Sequence, residues 1–170
     1  MQFHVGDQVV HPVYGVGTIK TCAKQQFGKG EMRRYYEVIA GRVTVWVPIN
    51  EQGSTVLRRI ASKATLDECR RLLKSHPVPL DKSIPVREVE IANRLKVSLL
   101  PGLCEIVRDL RALSQQNPLG RIQGDLLRKS YKVLCDEWAA VDGVPVQIAL
   151  NEIESILQAA YPARTLERDV

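Results

Sequence analysis

Two periodicities divide this chain. Up to about residue 60 apolar positions alternate with polar ones, and beyond it they recur every three or four residues. The alternation is strictest in Val43-Thr44-Val45-Trp46-Val47-Pro48. Successive side chains on a strand face opposite ways, so Val43, Val45 and Val47 share one face while Thr44 and Trp46 take the other. β-Branched valines suit a half-buried core face. Pro48 has no N–H for a ladder and marks an edge strand or its end. Before it, Asp7-Gln8-Val9-Val10-His11-Pro12 reads as a first strand stopped by proline. Tyr14-Gly15-Val16-Gly17 is a turn whose two glycines can take positive φ, and Thr18-Ile19-Lys20-Thr21 continues as a strand. A polar loop over residues 25–30 precedes a third strand, 34–39; Gly41-Arg42 turns into the Val43 strand, and 54–57 closes the set. Five short strands at this spacing predict a small SH3-like or Tudor-like β-barrel.

The second half predicts helices. Thr65-Leu66-Asp67-Glu68 has the form of a capping box, with Cys69, Leu72 and Leu73 on one face behind it. His76-Pro77-Val78-Pro79-Leu80 excludes helix and is the strongest linker candidate. Ser83 suits the cap of a second helix, with Pro85 in its first turn and Val86, Val89, Ala92, Asn93 and Val97 sketching its apolar face. Pro101 opens a third, striped by Leu103, Ile106, Val107, Leu110 and Leu113. A fourth runs from about Arg121 to Val141, with Leu127, Tyr131, Leu134 and Trp138 in line and Asp142-Gly143 closing it. Pro145 starts the last, with Ile148, Ile153, Ile156 and Leu157 inward. The expected fold class is α+β: a small N-terminal SH3/Tudor-like β-barrel over 1–63, an all-α C-terminal helical bundle over 64–162, and a frayed polar tail, 163–170.

The net charge of +5 is unevenly spread. Residues 1–63 hold nine Lys/Arg against four Asp/Glu, 82–132 hold ten against five, and 133–170 hold two against seven. Basic regions of this kind fit an acidic partner, most commonly nucleic acid, or a solvated face with none. Arg87, Arg94 and Lys96 lie on the second helix, and Arg128, Lys129 and Lys132 crowd one turn of the fourth, opposite Leu127 and Leu134. Such residues neutralise phosphates with little regard to sequence. Ile84 stands between Lys82-Ser83 and Pro85; it either packs onto the bundle or wedges between base pairs at a kinked step. Trp46 presents a similar choice. On an exposed edge it anchors a strand added by another protein, or it folds over a neighbouring loop as extra core.

Catalytic chemistry is not expected. The chain has no phosphate-cradling G-x-x-x-x-G-K-[ST] loop, no G-x-G-x-x-G, no G-x-S-x-G and no H-E-x-x-H. Asp136, Glu137, Glu152 and Glu154 read as solvated faces of the last helices. Cys22, Cys69, Cys104 and Cys135 are too widely spaced for a zinc site or a secreted disulfide framework and read as reduced, mostly buried thiols. His4, His11 and His76 lack partners at metal-ligand spacing. No metal, cofactor or small-molecule substrate is expected. Neither a signal peptide nor an apolar run of membrane-spanning length is evident, which predicts a cytoplasmic protein, monomeric when free.

Val5-Gly6-Asp7-Gln8-Val9-Val10-His11-Pro12-Val13-Tyr14-Gly15-Val16-Gly17 closely resembles the opening of the CarD/CdnL family of bacterial transcription regulators. Thr44-Val45-Trp46-Val47-Pro48 matches a later strand of that family, and Glu105-Ile106-Val107-Arg108-Asp109-Leu110 a recurrent helical segment. The resemblance covers roughly residues 1–160. Its N-terminal part is shared with the RNA-polymerase-interacting module of transcription-repair coupling factors. It implies a Tudor-like domain that pairs an edge strand with the RNA polymerase β subunit, here Arg42, Val43, Thr44, Val45, Trp46, Val47 and Pro48. It also implies a helical domain that contacts promoter DNA at the upstream edge of the bubble and modulates open-complex stability, here with Ile84, Arg87 and Lys129 at matching positions, to which the basic-patch reading adds Arg94, Arg128 and Lys132 as DNA-binding candidates. Trp46 falls where members often carry an arginine, and Ile84 where many carry a wedging tryptophan. Arg87 and Lys129 match basic positions of the family, while Glu88 and Glu90 weaken the local field. Two alternatives stand beside this: an adaptor that uses the barrel without DNA, and a KOW-type RNA- or ribosome-binding module.

Overall fold

The computed structural model describes residues 2–28, 30–96 and 99–160, except the side chain of Lys96. Val97, placed on a helix face above, and the tail 163–170 lie outside the described residues. The described chain divides into two compact units at Ile60/Ala61.

The first unit is an antiparallel sheet of β1 (Gln8–His11), β2 (Gly15–Gln25), β3 (Arg33–Ala40), β4 (Val43–Pro48) and β5 (Arg58–Arg59), in the order β4-β3-β2-β1-β5. The closing strand is Arg58–Arg59, set by pairing with Val9 and Val10, not the expected 54–57; Leu57 instead turns its side chain into the core. Phe3, Val9, Ile19, Tyr36, Val38, Val47, Ile49 and Leu57 fill that core. β4 enters it progressively: Val47 is buried, Val45 half-buried and Val43, at the hairpin end, exposed. β2 runs longer than expected and shifts register between Ile19 and Thr21, a bulge that bends it between its two neighbours.

Gly15 and Gly17, expected in a turn, lie in β2 opposite His11 and Val9, and the β1–β2 turn is residues 12–14. Gly15 has φ of 74°. Gly17 does not need positive φ; a Cβ there would meet Val38 Cγ1 at 2.7 Å and the Ile39 carbonyl at 2.9 Å, so glycine allows β2 and β3 to approach. In the same turn His11 Nδ1 accepts from the N–H groups of Val13 (3.0 Å) and Tyr14 (3.3 Å), which requires that nitrogen to be unprotonated. Burial lowers the His11 pKa below its usual 6.5. A depressed folded-state pKa means the folded protein binds fewer protons than the unfolded one between the two values. The stabilisation is therefore present above 6.5 and lost as pH falls through the folded value. Urea melts from about pH 7.5 to about pH 5 are expected to show this loss, and His11→Asn to reduce it.

The second unit holds α1 (Lys63–Lys74), α2 (Ile84–Lys96), α3 (Leu100–Gln116), α4 (Arg121–Asp142) and α5 (Val146–Ala160). α1 begins two residues before Thr65, because the Ser62 hydroxyl accepts from Thr65 N–H at 3.1 Å and makes Ser62 the cap. Thr65 and Glu68 are thus inside the helix. Residues 75–83, which include the expected linker, join α1 to α2 within this unit, with Val78 N–H donating to Asp109 at 2.9 Å. The main core joins Leu66, Cys69 and Leu73 of α1 to Cys104 and Val107 of α3, Leu134 and Trp138 of α4, and Ile153 and Leu157 of α5. Ile148 is exposed, contrary to expectation, and Ala149 takes the inward place. Gly143 closes α4 in the left-handed region, φ 70°.

Two acids expected on solvated faces are structural. Glu137 is fully buried and accepts from Ala61 N–H at 3.0 Å, tying the start of the unit to α4. Glu152 accepts from Arg70 Nε at 2.7 Å and from the Trp138 indole at 3.0 Å. Its bond with Arg70 holds its carboxyl below the usual range. Arg70 also meets Asp67 and Asp142 and lies over the Trp138 ring. Glu154 pairs with Arg111, and Asp136 with Lys132.

Candidate functional site

β4 is an edge strand: it pairs with β3 on one side and forms no ladder on the other among the described residues. Ala40 and Val43 close a two-residue hairpin, so they exchange ladder bonds, and alternation carries this inward bonding to Val45 and Val47. The donation from Ile49 N–H to the Arg34 carbonyl at 2.9 Å continues the same parity. Thr44, Trp46 and Pro48 therefore direct their backbone groups away from β3. Pro48 loses no ladder bond at such a position, which is why the edge tolerates it.

Trp46 lies on the outer face opposite Glu37, and the Glu37 carboxylate sits 3.3 Å from Lys20 Nζ. The indole is half-buried because Phe27 reaches it from the β2–β3 loop, centroid to centroid 5.9 Å at 59°. Phe27 in turn meets Tyr35 edge-on at 5.0 Å and 82°. Trp46 thus stands on an edge strand and leans on the β2–β3 loop. Arg42, at the hairpin tip, is exposed and has no ion pair among the described residues.

In the helical unit the two arginines of α2 are not surface cations. The inward positions are Arg87, Ile91 and Leu95, one turn apart, with Arg94 beside them; Val86, Val89, Ala92 and Asn93 face out. Arg87 is only 8% exposed, with Nε 3.0 Å from the Gln123 side-chain oxygen once that amide is oriented to accept. Arg94 donates to Asp109 at 2.8 Å and also to Glu90. Burial opposes its charge, but these bonds outweigh it and raise its pKa. The expected apolar face is reversed because partners on α3 and α4 draw both guanidinium groups inside.

Ile84 does not pack away; it is 56% exposed at the start of α2. It lines a groove of about 760 Å³ walled by residues 77–84, the end of α3 and the start of α4. Lys82, Arg121 and Ile122 share that groove. On α4, Arg121, Arg128, Lys129 and Lys132 fall within an arc of roughly 100° on the exposed side. Arg128 is paired with Asp125, and Lys132 with Asp136 at 2.6 Å, so these acids dilute the stripe. Sequence reasoning placed Lys82 beside Ile84 but missed Phe27 and Arg121 as neighbours of its candidates, because both reach them only through the tertiary fold. Among the described residues no group of three or more His, Cys, Asp or Glu could hold a metal ion. No helix there is long and apolar enough to cross a membrane.

Residues 3–61 match the family model described as the CarD-like/TRCF RID domain. The chain is also similar to the Bacillus subtilis (strain 168) protein named "Putative transcription factor YdeB", with 23% identity over 146 residues. That similarity spans 84% of this chain and 94% of the relative, so it runs well into the helices.

Proposed function

We propose, from the premise that residues 3–61 form a CarD-like/TRCF RID domain, that the protein is a transcription regulator that acts by binding RNA polymerase. β4 docks on the β subunit by strand addition, with Trp46 as its anchor. The observation that carries this is an unpaired strand edge with an aromatic side chain beside it, inside the matched domain. The similarity to a protein named as a transcription factor supports the same role.

The helical unit then contacts promoter DNA at the upstream edge of the bubble. Ile84 is the candidate wedge, and Lys82, Arg121, Arg128, Lys129 and Lys132 are the candidate phosphate contacts. Arg87 and Arg94 serve this surface by holding α2 in place. Tethering to polymerase raises the local concentration of this unit at DNA, so weak intrinsic affinity suffices. The test is Ile84→Ala in the full chain. Removing three carbons of an unstacking wedge is expected to shift open-complex lifetime several-fold, at ~1–2 kcal/mol for the lost apolar surface, while leaving polymerase affinity unchanged. An unaltered lifetime removes the wedge.

The ion pairs on α4 and the inward turn of Arg87 and Arg94 favour a second reading, an adaptor whose basic helices are merely solvated. Lys129→Ala separates the two. If Lys129 neutralises a phosphate in the promoter complex, its removal reduces the salt slope by roughly one, whereas a solvated lysine leaves it as it was.

A further inference from the structure

We propose that Phe27 sets the chemistry of the docking edge. With Tyr35 and Trp46 it makes a preformed aromatic wall that selects an incoming strand bearing an apolar side chain opposite Trp46 and acidic residues towards Arg42. This rests on the docking reading above and names the kind of strand that the edge accepts.

Backbone pairing alone is short here. Only Thr44 and Trp46 offer outward N–H groups, since Pro48 has none. Side chains must therefore supply much of the affinity and the choice of partner. The wall is held before any partner arrives. Gly30 N–H donates to the Phe27 carbonyl at 3.3 Å, and Gly28 takes φ of 64°. Gln26 Nε2 bonds the Gly30 carbonyl at 2.9 Å and braces the loop. Phe27 remains half exposed although it touches both other rings, so it keeps surface to give to a partner.

The charges around the wall choose the rest. Glu37, the acid across from Trp46, is already matched by Lys20, so a cation on the incoming strand gains little there. A carboxylate facing the rings would lose water and stand near the Glu37 carboxylate across from Trp46. An aliphatic or aromatic side chain fits on both counts. At the turn end Arg42, which has no ion pair among the described residues, is a cation that an acid on the partner would complement.

The experiment measures binding of the full chain to bacterial RNA polymerase for wild type, Phe27→Ala, Phe27→Tyr, Arg42→Ala and Trp46→Glu, at low and high salt, with folding checked by circular dichroism. Phe27→Ala is expected to weaken binding about tenfold, the scale of an anchoring contact, with an unchanged salt dependence. Phe27→Tyr keeps the ring and stays near wild type. Arg42→Ala instead flattens the salt dependence. If Phe27→Ala binds as wild type while Trp46→Glu does not bind, Phe27 has no such role and docking through β4 stands. If Trp46→Glu also binds as wild type, the docking reading itself fails.

Discussion

Replacing Trp46 by glutamate is expected to lower affinity for the polymerase β subunit by about 100-fold or more, while the free protein stays folded. A strand added to β4 covers the outer face beside Trp46 and strips water from whatever stands there. Truncating or mismatching a buried charge at an interface costs ~2–5 kcal/mol, and each ~1.4 kcal/mol is tenfold. In the free chain the cost is smaller, because the ladder to β3 runs through Val43, Val45 and Val47 and is untouched. What goes is the indole contact with Phe27, ~1 kcal/mol, and the new carboxylate faces Glu37 across the strands for up to ~1 kcal/mol more. Titration calorimetry with polymerase, beside a urea melt of the free variant, separates the two effects. Equal loss in both would mean that Trp46 is core and not anchor.

Asp109→Ala has the largest expected effect on stability, ~3–5 kcal/mol off the helical unit. The Asp109 side chain is 1% exposed and accepts from Arg108 Nε at 2.8 Å, Arg94 Nη1 at 2.8 Å and Val78 N–H at 2.9 Å. Removing one member of a buried ion network leaves the other charges uncompensated. Arg108, itself buried, would keep the Ser75 hydroxyl at 2.7 Å and the Leu72 carbonyl, neither of them charged. Urea unfolding of the full chain measures the loss; a change below about 1 kcal/mol would show that the network is dispensable. Polymerase affinity is expected to be retained in the folded fraction, since β4 belongs to the other unit. The network also gives the segment Glu105–Leu110 a physical reason for its pattern. Ile106, Val107 and Leu110 are core, and Arg108-Asp109 clamp α1, the 75–83 segment and α2 to α3.

Local pattern suffices for some of this and not the rest. The edge position of β4 is legible because alternation and a proline are written in six consecutive residues. The stripe of α3 is legible because one helix face holds it. α2 defeats periodicity because arginines count there as surface residues, and only Asp109, 15 residues beyond Arg94, and Gln123 of α4 reveal them as interior. Glu137 misleads for the same reason, its partner Ala61 lying 76 residues away. The start of α1 is ambiguous because Ser62 and Thr65 both carry a capping hydroxyl, and the geometry of the chain entering the helix chooses between them. β5 has two residues and exists only through its pairing with β1. Phe27 looks like a lone aromatic in a polar loop, and its contacts on β3 and β4 are tertiary.

The most direct measurement is hydrogen exchange at single amides of β4 in the full chain, free and bound to RNA polymerase. Strand addition predicts that the outward amides of Thr44 and Trp46 exchange rapidly in the free protein and become protected in the complex. Val45 and Val47, already bonded to β3, change little. Protection that falls elsewhere, with Thr44 and Trp46 exchanging as before, would contradict docking through this edge.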